Sequence, residues 1–281
     1  MAANPIDHVK DATYFEVPQF IQEDGKLEIP QIFQMMGLPD EIYGQPLQFT
    51  KFMVLELVAA VVLIAIFVPL AQRMARSDAP RGRLWNFFEA ILLFLRDEVA
   101  RPAIGSKDAG KFMPYLWTIF FFVLACNLIG MLPWSGTATS ALGTTSALAA
   151  TAFVVTIGSG MSRLGVFGFL KAQVPHMGLP LPLAIVLVPL IFAIEIVGLL
   201  IKHTMLALRL LANMFGGHVV LAVLMSFIAV TAGTGMWGVV MPASVLGCTA
   251  MNMLELFVAF LQAYIFTFLS ALFIGMALHP H

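Results

Sequence analysis

Residues 179–230 read LPLPLAIVLVPLIFAIEIVGLLIKHTMLALRLLANMFGGHVVLAVLMSFIAV, 52 residues in which only Glu195, Lys202 and Arg209 carry a formal charge. As one α-helix this run measures about 78 Å at 1.5 Å per residue, against ~30 Å of bilayer hydrocarbon. Trp237–Leu278 repeats the pattern over 42 residues, with Glu255 alone charged; as a helix it measures about 63 Å. Between them Thr231-Ala-Gly-Thr-Gly-Met236 has the composition of a turn. Two arrangements fit. Either each run holds two short spans joined by a buried turn, for which Lys202-His203 is the single suitable place, or each is one long, strongly tilted helix and the pair forms a hairpin. Neither run is interrupted by a polar hairpin, which favours the second. Helices so tilted are not covered by lipid on every side and should lie against another protein.

The rest of the chain agrees with a membrane setting. Of its 281 residues 60% are hydrophobic and 11% charged, with mean hydropathy +0.91, where a soluble domain carries about 25% charged residues. This composition defines a multi-pass membrane protein. It excludes a soluble enzyme, a nucleic-acid binder and a secreted disulfide scaffold. The net charge of −1 suggests no electrostatic affinity for nucleic acid or anionic lipid. Cys126 and Cys248 lie inside apolar runs and read as small packing residues rather than a disulfide.

The charges divide the chain at residue 50. Residues 1–50 hold eight acids against Lys10 and Lys26, and include five prolines. They read as an acidic extramembrane extension with short structured pieces and not as a signal peptide, since they have no apolar core segment. Residues 51–281 form the integral membrane domain. Its first span is Phe52–Ala71, followed by Arg73, Arg76, Arg81 and Arg83. By the positive-inside rule that end is cytoplasmic and the N-terminus is outside. Leu84–Ala100 places Trp85, Phe88, Ile91, Leu92 and Leu95 at helical spacing but is too charged to span, and reads as an amphipathic helix on the cytoplasmic surface. A second span runs from about Pro114 to Leu132. An uncharged Gly/Ser/Thr-rich outer loop follows, and a third span from about Ser146 to Met161 returns to Arg163 and Lys171.

After residue 171 only Glu195, Lys202, Arg209 and Glu255 are charged, and a charge at the bilayer centre costs at least ~2.5–3.5 kcal/mol. At 100° per residue, Glu195, Lys202, Arg209 and Asn213 fall on one stripe about 40° wide. His218 lies on the opposite side. On the last helix Glu255, Gln262 and Asn252 share a face that can meet that histidine. Asn213 and Gln262 also suit interhelical hydrogen bonding, Lys202 suits snorkelling to the interface, and His176, His279 and His281 read as loop or tail residues. Glu56 is left open between a span end and a packing site. Arg209 is different: it does not shed its proton, and its helical neighbours Met205, Leu206, Ala212 and Asn213 are not acidic. It needs a carboxylate or water from elsewhere, with Ala212, Gly216 and Gly217 small enough to allow close approach. Glu195, His218 and Glu255 exchange protons and so suit a relay. A fixed cation such as Arg209 interrupts one.

Three segments carry a resemblance. Leu206-Ala-Leu-Arg-Leu-Leu-Ala-Asn-Met-Phe-Gly-Gly-His218 resembles the signature around the essential arginine of the subunit a family of F-type ATP synthases. Phe260-Leu-Gln-Ala-Tyr-Ile-Phe266 and Asn127-Leu-Ile-Gly-Met-Leu-Pro133 resemble two further family segments, in family order, over roughly residues 50–278. The resemblance implies an all-α polytopic fold with five membrane helices, a surface amphipathic helix and a long tilted final hairpin. It implies that Arg209 faces a rotating ring of c subunits, that Glu195 lines a cytoplasmic half-channel, and that Asn213, His218, Glu255, Gln262 and Asn127 line an outer one. A b-type peripheral stalk subunit and the rest of the synthase are the further partners implied, with no cofactor and no bond chemistry in this chain; the long acidic extension favours a bacterial plasma membrane over an organellar one. Some members carry the acid and the histidine of His218 and Glu255 exchanged, and some have an acid at the place of Gly130 or in the loop after Pro133, where this chain has none. The rival reading is a stand-alone proton-coupled secondary transporter. No internal repeat or matched pair of Gly/Pro-broken helices supports it.

Overall fold

The computed structural model describes residues 11–16, 26–37, 39, 41–42, 45–46, 48–76, 82–132, 136–173 and 181–279. Much of residues 1–50, together with Pro133, Trp134, His176 and His281, lies outside the described residues. The N-terminal part contains β1 (Tyr14–Glu16) paired antiparallel with β2 (Lys26–Glu28), a single turn α1 (Ile32–Met35), and β3 (Glu41–Ile42) paired with β4 (Gln45–Pro46).

From residue 51 the chain is helical: α2 (Lys51–Arg76), α3 (Arg83–Phe94), α4 (Arg101–Ile104), α5 (Ala109–Gly130), α6 (Leu142–Ala172), α7 (Leu181–Thr231) and α8 (Trp237–Leu278). Hydrocarbon offers no partner to a free N–H or C=O, so apolar runs close their hydrogen bonds internally as helix. Among the described residues five helices, α2 and α5–α8, are long and apolar enough to cross a membrane. The protein is an all-α polytopic membrane protein.

The two long runs are single helices. Lys202-His203 lies inside α7 without a turn, and at 51 residues α7 is far longer than an upright span. The turn to α8 begins one residue later than its composition suggests, with Thr231 still helical and Gly233 at φ 83° reversing the chain. The third span also runs further than its hydropathy indicates. It starts at Leu142 and passes Arg163, and Gly165, at φ 74°, kinks it there.

Two compact units divide the chain. The first takes the described parts of residues 1–71 with 121–144 and 210–262. In it α7 and α8 pack antiparallel, for Asn213 meets Gln262, Gly217 meets Glu255, and Leu224 meets Gly247. Phe67 and Phe121 join α2 to α5 with ring centroids 4.5 Å apart. Phe52, Leu55 and Ala138 form a small buried core with Phe15, Ile129 and Ala141 against it.

The second unit takes the described parts of residues 72–120 with 145–209 and 263–281. Here the amphipathic segment differs from a simple surface helix. It continues from α3 through a π-helical turn at Leu95–Ala100 into α4, and Leu95, Val99, Ala100 and Ile104 are buried. The Trp117 indole N–H donates to the Leu92 carbonyl at 3.1 Å. Gly275 of α8 lies so close to the Ala103 carbonyl that a Cβ there would stand 2.9 Å from the Ala103 carbonyl carbon and 3.4 Å from Ile104 Cα. Backbone cannot step aside as a flexible side chain does. Gly275→Ala is therefore expected to lower the stability of the assembled protein by about 1–3 kcal/mol, the usual cost of overpacking, read as a drop in its thermal inactivation temperature.

Few residues of α7 are buried, chiefly His203, Leu206, Ala207, Leu210 and Met214, whereas α8 is buried along much of its second half. Val186, Ile194, Val197, Met205 and Met225 are all more than half exposed. One side of α7 thus needs lipid or another protein.

Candidate functional site

Arg209 sits on the exposed side of α7, and among the described residues it has no carboxylate partner. Leu206 and Leu210, its neighbours toward the protein, are buried at 1% and 0% exposure, while Met205 and Leu208 share its open side. Glu195 and Lys202, two turns apart on the same helix, pair with each other at 3.7 Å on half-exposed side chains. Of the expected stripe of Glu195, Lys202, Arg209 and Asn213, the structure joins Glu195 to Lys202, so its acid is already matched by its lysine.

The first unit contains a second polar set, and most of it is buried. Asn213 Nδ2 donates to Gln262 Oε1 at 2.9 Å, joining α7 to α8. Gln262 is 1% exposed and its Nε2 has no partner. One face of α8 carries Glu255 two turns before it, 5% exposed, with Oε1 likewise unpartnered. An unbonded buried polar group costs about 1–3 kcal/mol. Two in one face mark a site kept for something other than stability.

Glu255 lies on the Gly217 backbone, where a Cβ would come within 2.9 Å of its Cδ and 3.1 Å of its Cγ. This corrects one expectation. Gly217 serves contact with α8 inside this chain rather than approach of another protein. The α8 stripe meets Asn213 and Gly217, four residues apart on one side of α7. His218, the next residue, bonds Thr137 through Nε2.

Thr137 belongs to the loop between α5 and α6, which turns inward through a 3-10 turn at Ala138–Ser140. Its residues Thr137, Ala138, Thr139 and Ser140 are all buried. Thr139 Oγ1 donates to Asn127 Oδ1 at 2.7 Å, and Asn127 Nδ2 reaches the Ala259 carbonyl of α8 at 3.4 Å. Glu56 is a packing residue whose Oε1 accepts from Thr144 Oγ1 at 2.6 Å. Sequence reasoning passed over Thr137 and Thr139. The signal was there, since a loop between two spans without a single charge can be buried and one rich in charge cannot.

In the second unit His203 is 3% exposed and packs between Phe153 and Phe273, with ring centroids at 5.2 and 4.9 Å. Nδ1 lies 2.9 Å from the Leu199 carbonyl and Nε2 3.4 Å from Thr156 Oγ1. It fastens α6, α7 and α8 together there. Cys126 and Cys248 are free thiols. Among the described residues no cluster of His, Cys, Asp or Glu could hold a metal ion. Outside the membrane helices, Arg96 and Arg101 flank Asp97 at 3.0 and 2.6 Å. The Arg96 hydrogen bond chiefly holds that carboxyl below its ordinary range.

A helical membrane protein that buries an acid between its last helices, beside a histidine-bearing turn and a lining of amides and hydroxyls, is of the class that passes ions through the membrane. Residues 53–275 match the family described as ATP synthase A chain, and the chain belongs to that family. It is 39% identical over 238 residues to "ATP synthase subunit a" of Myxococcus xanthus, covering 84% of this chain and 75% of the relative. It is 38% identical over 275 residues to the protein of the same name from Chloroherpeton thalassium, covering 97% and 75%. To "ATP synthase subunit a 2" of Chlorobaculum tepidum it is 37% identical over 277 residues, covering 96% and 71%. Membership sets aside the stand-alone transporter.

Proposed function

We propose that this chain is the non-catalytic, stationary part of a proton-driven synthase, offering two offset half-channels to carboxylates on a c-subunit ring. The observation that carries the reading is the order of groups along α7. The Glu195–Lys202 pair comes first, then Arg209, an exposed cation without an acid, then Asn213 and the His218 turn with Glu255 against it. Glu195 precedes Arg209 by 14 residues and His218 follows it by nine, about 21 Å and 13 Å along a helix.

A proton from outside passes the Asn127, Thr137 and His218 set and the Glu255–Gln262 face, and neutralises a ring carboxylate. The neutral site rotates through lipid at little cost and loses its proton on the Glu195 side. Arg209 pairs with the bare carboxylate between the two. Being permanently charged, it also repels a proton that would cross directly. Each proton delivers about 2.3 kcal/mol per 100 mV of membrane potential. The exposed side of α7 faces the ring, and a b-type stalk subunit holds the chain still. The arginines that close and follow the first span support a cytoplasmic end there, and with five spans the N-terminus is then outside and the C-terminus inside a bacterial plasma membrane.

The test is exchange of the two titratable groups. His218→Ala and Glu255→Ala should each slow proton-driven ATP synthesis, by roughly tenfold or more for loss of one positioned proton-transfer group. The double exchange His218→Glu, Glu255→His should recover part of it. Undiminished synthesis in the His218→Ala, Glu255→Ala double variant would remove both from the route. Purification adds an independent check, since the chain should come out of the membrane with its ring.

A further inference from the structure

The acidic N-terminal segment has no role in the mechanism above, yet it is fastened to the loop that serves the outer polar set. The Lys51 N–H donates to the Ala12 carbonyl at 2.9 Å, and the Phe52 N–H to Asp11 Oδ1 at 3.4 Å. The Ile29 N–H donates to the Thr13 carbonyl at 3.0 Å, tying β2 back to β1. Gln31 spans the entrance to α2: its Oε1 accepts from the Phe49 N–H at 2.8 Å and its Nε2 donates to the Phe49 carbonyl at 3.2 Å. Phe33 stacks edge-on against Phe49 at 5.7 Å. The segment is thus bonded to the first turn of α2 along its backbone and is not a loose tail.

The same first turn carries the loop after α5. Phe15 of β1 packs with Ile129 and Ala141 on the buried core of Phe52, Leu55 and Ala138. Gly136 has φ 70° and lies against Phe52 and Lys51, where a Cβ would stand 3.2 Å from the Phe52 ring and 3.5 Å from Lys51 Nζ. Thr137 and Thr139, on either side of the clamped Ala138, are the residues that bond His218 and Asn127. We infer that the N-terminal segment is a clamp, in which Phe15, the backbone of residues 11–13 and the Gln31 side chain hold the Gly136–Ala141 loop down so that Thr137 stays on His218 and Thr139 on Asn127. Phe15 is a positioning residue, acting through that loop. The effect on proton flux rests on the outer half-channel proposed above. The effect on the loop does not.

Two readouts on the intact complex separate them. Hydrogen exchange reads the loop directly, because the Ser140 and Ala141 N–H groups close its 3-10 turn onto Thr137 and Ala138 at 2.9 and 3.1 Å. Phe15→Ala should speed exchange of those amides by about tenfold, the signature of an easier local opening, and cut proton-driven ATP synthesis several-fold in assembled complexes. Phe15→Leu, which refills the contact, should restore most of both. Gln31→Ala reads the same clamp should Phe15→Ala fail to assemble. Unchanged exchange in the assembled variant overturns the clamp. Faster exchange with full synthesis overturns its part in proton access if His218→Ala still slows synthesis. If His218→Ala also leaves synthesis intact, the fault lies with the outer half-channel itself.

Discussion

Arg209→Ala stops proton-driven ATP synthesis in a complex that still assembles, and lets protons leak through the membrane without turnover. The expected fall is at least ~10²-fold, about 2.7 kcal/mol in a rate-limiting barrier, which a charge pair in a low-dielectric setting readily supplies. The structure explains why assembly should survive. Arg209 makes no ion pair among the described residues, so its removal leaves no buried carboxylate unmatched within this chain. It also explains why no neighbour takes its place. The acid nearest along α7, Glu195, is held by Lys202 at 3.7 Å. Arg209→Lys keeps a charge but loses the planar, delocalised cation, and little synthesis is expected from it either. Both variants are read by ATP synthesis and passive proton uptake in inverted vesicles. Near-normal synthesis in assembled Arg209→Ala complexes would sink the functional reading.

Gly217→Ala is the second large effect, and it follows from one methyl group. The added Cβ falls within 2.9 Å of Glu255 Cδ. Either the carboxylate swings out of its buried face or α7 and α8 separate. Overpacking of this kind costs about 1–3 kcal/mol, while the displaced carboxylate loses its position in the proposed proton route. Synthesis should fall to the level of Glu255→Ala, with the chain still present in the membrane. Adding Glu255→Asp, one methylene shorter, should relieve the clash and return part of the activity. Failure of the shorter acid to rescue, with Gly217→Ala inactive, would mean that Gly217 acts elsewhere than on Glu255.

The helices were legible because hydropathy and length alone decide what crosses a bilayer, and the bounds of α8 fell on the expected residues. Arg209 was legible for a related reason, as an arginine among apolar neighbours stands out in any register. Side-chain pairing between helices was not. A helical wheel gives each residue's direction but not the rotation of one helix against another, so Asn213 was grouped with Arg209 when its amide turns to Gln262. The inward loop was missed because a Gly/Ser/Thr-rich stretch reads the same whether it meets water or His218. The buried end of the α3–α4 segment depends on Gly275, 172 residues beyond Ala103 in sequence, and no local pattern reports so distant a contact.

The bareness of α7 bears on how such a chain is made. A newly inserted copy presents a long apolar side with one permanent cation on it, and membrane insertion does nothing to hide that charge. At ~2.5–3.5 kcal/mol for an arginine at mid-membrane, the copy is poorly settled in lipid until that side is covered. Until then such a copy is one that chaperones and membrane proteases can recognise by the same open side.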